Sequence, residues 1–364
     1  MTRWRNILPN VSTVKLYRLK LVLSIAVAWT LVDIVNFFTT INTSLNRSVI
    51  YNEVYGSLLL REVIIFIMSG LIGYLLVFRL RNKFRNFSMW QVLILKSLML
   101  IIAAIVMTFI IYMTYATMLQ GKPVTRALNS FWDATIHSYW LLQKMPYWLF
   151  LLIITQIIIE VHDKYAPGVF ADILLGKYLT PKIEKRIVMF IDLKDSTPIA
   201  EKLGNIPYFR FIREFIYQVS TALIDHGGIV YQYVGDEVVV SWRFTHENTK
   251  KCMAALIDVR KNLQRKSDYF RRQFDTIPEF RVGIHCGEVT VGEIGVIKKD
   301  LAMSGDTMNT TARIRTACSE LNQKFIVSKD FIDNIDLEEW QSENLGEVDL
   351  KGKNHSIELF ALKI

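Results

Sequence analysis

The segment that decides the fold reads Ile187-Val-Met-Phe-Ile-Asp-Leu-Lys-Asp-Ser-Thr197. Its first five residues are apolar, as in a short buried strand, and its polar end is typical of a turn that opens a helix. The strand therefore ends on a carboxylate, Asp192, beside backbone N–H groups that would suit a phosphate. Taken alone, the same pattern also fits a helix cap next to an ordinary turn acid.

A second acid lies in a predicted β-hairpin. The stretch Ile229–Trp242 contains two strand-like runs around the tight turn Val234-Gly-Asp-Glu237, which puts Asp236 at the tip. If the hairpin lies beside the first strand, Asp192 and Asp236 point into one cleft. Two carboxylates without histidine or cysteine ligands suit hard, oxygen-seeking ions such as Mg²⁺ or Mn²⁺.

A third polar group lies in the stretch Ser304–Ile314, which predicts a helix. Asn309 and Arg313 are four residues apart, so they share one helix face. An amide can orient a substrate, and a guanidinium can neutralise the charge of a phosphoryl transition state. The alternative is an ordinary solvated helix face.

The composition indicates a membrane protein with few cysteines. Of the 364 residues, 51% are hydrophobic, and the formal net charge is +9. The three cysteines are far apart and indicate neither a disulfide framework nor a cysteine-rich zinc site. Because no interleaved aromatic and basic motif is present, we expect no nucleic-acid partner. The positive charge fits a membrane surface or solvated faces.

Four apolar segments approach the ~20 residues that cross a bilayer. They are Leu21–Phe38, Leu58–Phe78, Val92–Met113 and Trp140–Ile159. The fourth is the weakest because Gln143, Lys144 and Pro146 interrupt its start. Basic residues are concentrated in the N-terminal tail and in the second loop, so the positive-inside rule puts both termini in the cytoplasm.

The first apolar segment contains an acid, Asp33. An ionisable residue inside a membrane is by default a functional candidate. The alternative is a hydrogen bond to a neighbouring helix, and both interpretations are open from the sequence.

The chain divides by composition into four parts. Residues 1–17 form a basic cytoplasmic tail, 18–161 an all-α four-helix transmembrane bundle, 162–185 a linker with a short amphipathic helix, and 186–364 an α/β domain. Within the last part, strands are predicted at 187–191, 229–233, 238–242, 280–285, 289–294, 325–327 and 357–362. Helices are predicted at 197–226, 247–274 and 306–321.

Four motifs of the α/β part resemble, in order and spacing, the class III nucleotidyl cyclase domain. They are Phe190-Ile-Asp-Leu193, Val234-Gly-Asp-Glu237, Arg281-Val-Gly-Ile-His-Cys-Gly287 and Gly305-Asp-Thr-Met-Asn-Thr-Thr-Ala-Arg313. The resemblance covers Arg186 to Leu362 and implies a ferredoxin-like βαββαβ catalytic domain. Diguanylate cyclases carry a similar Gly-Asp-Glu turn but lack the last two motifs. The implied activity is that of a membrane-bound adenylate cyclase, which makes cyclic AMP and pyrophosphate from ATP.

The resemblance implies a two-metal site. Asp192 and Asp236 correspond to the metal-binding aspartates, and the Leu193 carbonyl to an additional ligand, for two Mg²⁺ or Mn²⁺ ions. The turn that ends at Thr197 would bind phosphate groups of the substrate.

The resemblance also implies a homodimer with two composite sites. Asn309 corresponds to the residue that orients the ribose, Arg313 to the transition-state arginine and Lys351 to the triphosphate-binding lysine. In such cyclases these three residues come from one subunit and the metal-binding acids from the other.

The positions that select the base depart from the family pattern. Family members that make cyclic AMP usually carry Lys where this chain has Gln232, and guanylate cyclases usually carry Glu. The partner position, usually Asp, Thr or Cys, is Ala302, which offers no side-chain hydrogen bond. Since Gln can both donate and accept, we expect modest discrimination. ATP is the expected substrate because ATP-using members are the commoner bacterial type, and GTP or dual specificity is the alternative.

Two hypotheses of other classes compete with the enzyme. The first is a non-catalytic membrane receptor or scaffold with a degenerate cyclase domain. The irregular base-selecting pair favours this hypothesis, whereas the presence of all the other family residues opposes it. A transporter with a regulatory domain has little support, because the sequence shows no inverted repeat.

Overall fold

A computed structural model describes residues 13–44, 51–80, 87–137, 145–164, 169–296, 300–335, 341–350 and 356–363. The chain forms two compact units, one spanning Lys15–Tyr165 and the other containing Ala166–Ile364. Each unit has its own hydrophobic core.

The first unit is helical. Its helices are α1 (Thr13–Ser44), α2 (Tyr51–Tyr74), α3 (Met89–Thr114), α4 (Val124–His137) and α5 (Met145–Lys164). Two of them continue as π-helical turns, α2 through Leu75–Leu80 and α3 through Tyr115–Leu119. Such turns widen a helix locally and are rare outside single-turn insertions.

Three of these helices are long and apolar enough to cross a membrane within the described ranges. They are Lys15–Phe38, Leu58–Arg79 and Trp90–Leu119, so the first three predicted spans are helices of membrane-spanning length and composition. The apolar part of α5 is shorter, Met145–Val161, and the beginning of the predicted fourth span, Trp140–Lys144, lies outside the described residues. The count of four spans, and the orientation that depends on it, stays a prediction.

Asp33 is buried among the helices of this unit, with a side chain only 3% exposed. Its Oδ1 atom accepts a hydrogen bond of 2.7 Å from Arg61 Nη2 on α2 and one of 2.6 Å from the Tyr147 hydroxyl on α5. The expectation of a hydrogen bond to a neighbouring helix is therefore confirmed. A second polar link joins α1 to α5, because Trp29 Nε1 donates to Thr155 Oγ1 at 2.7 Å.

Helix α4 lies between the third and fourth apolar segments, where the sequence predicts no helix. Phe131 of this helix packs edge-on against Phe109 and Tyr112 of α3, at 5.0 and 5.3 Å between ring centroids. Ala127 is fully buried one turn before Phe131, whereas the next residue, Trp132, is exposed. The segment is too short and too polar to cross a membrane, so a search for long apolar runs does not find it.

The second unit is built around a mixed sheet. Its strands are β1 (Lys182–Leu193), β2 (Ile229–Val234), β3 (Glu237–Arg243), β4 (Phe280–Ile294), β5 (Asp300–Ser304), β6 (Phe325–Ser328), β7 (Gln341–Val348) and β8 (Ile357–Lys363). The order is β2-β3-β1-β4-β6-β8-β7, with β5 paired to β4. The helices are α6 (Val169–Leu174), α7 (Ser196–Leu203), α8 (Asn205–Asp225), α9 (His246–Arg265), α10 (Ser267–Phe274), α11 (Asp306–Glu320) and α12 (Lys329–Ile332).

The first four strands and the helices between them form the predicted ferredoxin-like βαββαβ unit. Alternation along β1 divides its side chains between two cores. Ile187, Met189 and Ile191 pack with α8, α9 and α10 on one face. Val188 and Phe190 pack on the other face, which α11 and β5 also cover. The central strand β1 is paired along its whole length with β4, and over six residues with β3.

The sheet begins earlier than the sequence boundary at residue 186, because β1 starts at Lys182. The residues just before it are also packed on the sheet. Tyr178 is buried beside Val188 and Val291, and its carbonyl accepts a hydrogen bond from the Glu293 amide at 3.3 Å.

Several elements differ from their predicted extents. The two strands predicted at 280–285 and 289–294 are one strand, β4, because Gly287 and Glu288 continue the ladder instead of ending it. The helix predicted at 197–226 is broken at Gly204, whose φ of 73° lies in the left-handed region. The helix predicted at 247–274 is two helices that meet at Lys266. Strands β5 and β7 have no counterpart among the predicted strands.

Candidate active site

Asp192 lies at the end of β1, on the sheet face that α11 covers. It follows Val188 and Phe190 at alternate positions, so it shares their face. The neighbouring residue Ile191 pairs with Val238 of β3. The strands that carry the two predicted acids are therefore adjacent and antiparallel, as the cleft hypothesis required.

Asp236 occupies the tip of the β2–β3 hairpin. The two-residue turn needs a positive φ at its first central position, which Gly235 supplies with φ 63°. The Oδ2 atom of Asp236 is buried and has no hydrogen-bond partner among the residues that the structure describes. Since a buried carboxylate oxygen without a donor is costly, this atom is suited to a cation.

Two further charged residues belong to the same cluster. Glu237 follows Asp236 and is nearly buried, and its Oε2 atom lies 2.6 Å from Arg315 Nη2 of α11. The other terminal nitrogen of the guanidinium, Nη1, lies 3.5 Å from Asp192 Oδ2. One arginine therefore faces two carboxylates of the cluster.

The electrostatics of the cluster are dominated by burial. Burial raises the pKa of Asp192; Arg315 opposes this shift, and Asp236 adds to it. Burial likewise raises the pKa of Glu237, opposed by Arg315 and reinforced by Asp192. Both shifts therefore come first from burial, and the positive charge of Arg315 offsets part of each.

This donor set fits a divalent cation. Its side-chain ligands are the carboxylates of Asp192 and Asp236, without histidine or cysteine, as Mg²⁺ and Mn²⁺ prefer, and the Oδ2 atom of Asp236 is unpartnered. Among the described residues, no group of three or more histidine, cysteine, aspartate or glutamate side chains is arranged to hold a metal ion. Leu193, whose carbonyl is the third predicted ligand, is buried at the end of β1.

The turn after β1 opens helix α7, as predicted. Asp195 precedes the helix with φ 57°, a left-handed conformation that turns the chain sharply. Thr197 in the first turn is exposed. Its backbone N–H group belongs to the first turn of the helix, which leaves such groups without intrahelical acceptors.

Asn309 and Arg313 lie on the outward face of α11. Asn309 is exposed and Arg313 half-buried, and neither side chain has a hydrogen bond or ion pair with any residue in the described ranges. The opposite face of α11 packs on the sheet through Thr311 and Ile314. Within one chain, the structure therefore brings Asp192 and Asp236 together but does not direct Asn309 and Arg313 at them.

The two base-selecting positions lie on β2 and β5. Gln232 is exposed and pairs with Val239 of β3, and Ala302 pairs with Gly292 of β4. The Tyr231 hydroxyl donates to the Met303 carbonyl at 3.5 Å, which links the two strands next to these positions. Lys351 lies outside the described residues.

Sequence reasoning missed Glu237 and Arg315 as members of the cluster. A signal for Glu237 exists, because alternation along β3 puts it on the face of Val239, and Val239 pairs with Phe190. Arg315 is four residues after the buried Thr311, so helical periodicity puts it on the sheet-facing side. His285, in the third family motif, is buried and hydrogen-bonded through Nδ1 to Ser328 Oγ at 2.8 Å.

Comparison with protein families identifies the second unit. A family model described as the adenylate and guanylate cyclase catalytic domain matches residues 180–363. Adenylate cyclase 2 of Rhizobium meliloti (strain 1021) is 28% identical over 207 residues, 56% of this chain and 57% of that protein. The adenylate cyclase of Anabaena cylindrica is 23% identical over 216 residues, 55% of this chain and 42% of that protein. The chain spans about half the length of these two curated relatives.

Guanylate cyclases are also among the relatives. A receptor-type guanylate cyclase of Caenorhabditis elegans is 22% identical over 187 residues, 50% of this chain and 17% of that protein. Among solved structures, a bacterial light-regulated adenylyl cyclase has a TM-score of 0.53 at 20% identity, covering 61% of this chain and 65% of that one. This likeness shows the fold.

Proposed function

Because the chain belongs to the adenylate and guanylate cyclase catalytic domain family, we propose that it is a membrane-anchored adenylate cyclase that converts ATP to 3′,5′-cyclic AMP and pyrophosphate. The observation that carries this proposal is the pair formed by Asp192 and Asp236 on adjacent strands, with a buried carboxylate oxygen that has no donor among the described residues. The names of the bacterial relatives support ATP as the substrate.

The carboxylates of Asp192 and Asp236, with the Leu193 carbonyl, would hold two Mg²⁺ or Mn²⁺ ions. Such ions, when bound, make the ribose 3′-hydroxyl more acidic and neutralise charge on the triphosphate. Glu237 and Arg315 would keep the Asp192 carboxylate in place, since both lie in the same ion-paired cluster.

The remaining chemistry is positioning and charge neutralisation. The first turn of α7, at Thr197, would bind phosphate oxygens through backbone N–H groups. The 3′-oxygen of the ribose forms a bond to the α-phosphorus, the bond from that phosphorus to the β-phosphate oxygen breaks, and the hydroxyl proton passes to solvent. Pyrophosphate leaves, and the two reacting oxygens must be in line.

Asn309 and Arg313 would act in the site of a second copy of the chain. Their outward position on α11, away from Asp192 of the same chain, supports a homodimer with two composite sites. Asn309 would orient the ribose, and Arg313 would stabilise the charge on the α-phosphoryl oxygens. Lys351 is proposed to bind the triphosphate on the basis of the family motif alone.

The anchor would place the catalytic domain in the cytoplasm. Three membrane-length helices support anchoring. The basic second loop supports cytoplasmic termini in the inner membrane of a bacterium, provided that α5 completes an even number of spans.

A second candidate substrate is GTP. Gln232 is exposed on β2 with an amide that can both donate and accept, and Ala302 adds no side-chain hydrogen bond. Guanylate cyclases among the relatives support this alternative.

The test is an assay of the full-length protein in detergent with ATP and with GTP, in Mg²⁺ and in Mn²⁺. Cyclic AMP should form, and Asp192→Asn should abolish it, whereas Asp268→Asn, an exposed acid on α10, should not. Predominant cyclic GMP would keep the mechanism and reverse the substrate preference. Absence of both products from a folded protein would favour the scaffold hypothesis.

A further inference from the structure

Arg315 links the cluster formed by Asp192, Asp236 and Glu237 to the helix α11, which carries Asn309 and Arg313. Its guanidinium lies 2.6 Å from Glu237 Oε2 and 3.5 Å from Asp192 Oδ2. The side chain is 28% exposed, and the Asp192 and Glu237 side chains are 21% and 12% exposed. These contacts are therefore only partly screened by solvent.

The position of Arg315 is fixed by the backbone. Helix α11 packs against β4 at Gly283, where the lack of a side chain lets the two backbones approach closely. Arg315 is two residues after Arg313, so the two guanidinium groups leave the helix on different sides. Arg315 reaches the acids of its own chain, whereas Arg313 has no ion pair within the described ranges.

The charge of Arg315 bears directly on cation binding. Asp192 and Glu237 each gain a positive partner at short range, so part of their negative charge is neutralised before any metal ion arrives. A divalent cation that binds Asp192 must approach this guanidinium and is repelled by it. The cross-strand neighbour of Asp192, Arg281, adds a second positive charge. A substrate triphosphate brings the negative charge that would offset both.

We propose that Arg315 is a positioning residue that holds the Asp192 and Glu237 carboxylates and, as a built-in counter-charge, weakens the binding of divalent cations until the nucleotide triphosphate is present. The inference rests on the proposed function, because it takes Asp192 as a metal ligand. It assigns Arg315 a role distinct from that of Arg313.

The experiment measures Mn²⁺ binding to the full-length protein in detergent without nucleotide, by electron paramagnetic resonance of free Mn²⁺. Arg315→Gln should lower the dissociation constant by about tenfold, which corresponds to ~1.4 kcal/mol. Arg315→Lys should lower it by a smaller factor, since an ammonium keeps the charge but cannot face both carboxylates as a planar fork does. The control Arg271→Gln, at an exposed arginine of α10 outside the cluster, should leave it unchanged.

A second measurement separates this inference from the proposed function. Asp192→Asn should weaken Mn²⁺ binding strongly in the otherwise unchanged protein. Suppose that it does, and that folded Arg315→Gln and Arg315→Lys both bind Mn²⁺ no more tightly than the parent. The proposed role of Arg315 is then wrong, whereas the metal site is retained. If the Gln variant does not fold, the Lys variant alone decides by the same criterion. If Asp192→Asn has no effect on Mn²⁺ binding, the metal site and the inference both fail.

Discussion

Gly283 of β4 and Arg315 of α11 approach so closely that a Cβ atom on Gly283 would lie 2.5 Å from the Arg315 backbone nitrogen and 2.9 Å from the Thr311 carbonyl oxygen. Both neighbours are backbone atoms, so they can give way only if the helix moves. Gly283 therefore sets the distance between the sheet and the helix that carries the predicted catalytic residues Asn309 and Arg313.

We expect Gly283→Ala to destabilise the catalytic unit and to lower its activity. Overpacking of this kind costs about 1–3 kcal/mol, which predicts a decrease of roughly 2–10 °C in the unfolding midpoint. The measurement is thermal unfolding of the full-length protein in detergent. Thr316→Ala, an exposed position on the same helix, is the control, and an unchanged midpoint in Gly283→Ala would contradict the close packing.

The outward position of Asn309 and Arg313 predicts complementation between inactive variants. Asp192→Asn and Arg313→Ala should each be inactive alone. Their co-expression should restore about a quarter of the parent activity, because half of the random dimers are mixed and each has one intact composite site. Co-expression of Asp192→Asn with Asp236→Asn is the control and should stay inactive. No restoration by the first pair would show that the site lies within one chain.

Gln232 should control the choice of base. We expect Gln232→Lys to raise the ratio of kcat/KM for ATP over GTP, and Gln232→Glu to reverse it, each by about tenfold or more, because an unmatched polar group in a binding pocket is penalised. The matched control is Gln264→Glu, an exposed glutamine on α9. Equal ATP-to-GTP ratios in all these variants would show that Gln232 does not contact the base.

Tyr147 should stabilise the helical unit through its hydrogen bond to Asp33. We expect Tyr147→Phe to destabilise this unit by about 1–2 kcal/mol, the upper part of the range for hydrogen bonds between membrane helices. The exposed Tyr115 provides the matched control, Tyr115→Phe. The readout is thermal unfolding in detergent, and equal midpoints for the two variants would argue against a stabilising hydrogen bond.

Glu184 should make stability depend on pH. Burial raises the pKa of Glu184, but hydrogen bonds from Arg186 and Tyr178 outweigh it and leave the pKa below its ordinary value of 4.5. A carboxyl group with a lowered pKa in the folded state stabilises the protein above the unfolded-state value, and this contribution is lost as pH falls through the folded-state value. The unfolding midpoint of Glu184→Gln should therefore lie below that of the parent at pH 7, and the two should converge below pH 4.5. A difference in unfolding midpoint that does not change with pH would show that the ionised Glu184 carboxylate is not the source of the stabilisation.

The sequence predicted the elements whose signal is local. The strand ending at Asp192, the hairpin tip at Asp236 and the helix from Asp306 each carry their own apolar pattern or turn residues. By contrast, all eight residues of β7 are exposed or half-exposed, and they show no apolar alternation. It is a strand only because β8 lies beside it.

The same distinction holds for the site. The number of residues between Asp192 and Asp236 does not indicate that the two acids lie on adjacent strands. Each of them, however, lies at a strand end that the sequence pattern predicts. The contact of Arg315 with Asp192 depends on where α11 crosses the sheet, and this is fixed by packing at Gly283 rather than by any motif. Tertiary packing of this kind is not encoded in the periodicity of a single element.

Strand β1 is one unbroken element from Lys182 to Leu193, and at ~3.3 Å per residue it is roughly 36 Å long. Ladders on both of its edges keep it from bending freely, and the buried Tyr178 fixes the chain just ahead of it. The strand is thus a stiff element that begins at Lys182, after the linker in the sequence, and carries Asp192 near its other end. A displacement of β1 as a whole would therefore move Asp192 with it, because no loop separates Lys182 from this carboxylate.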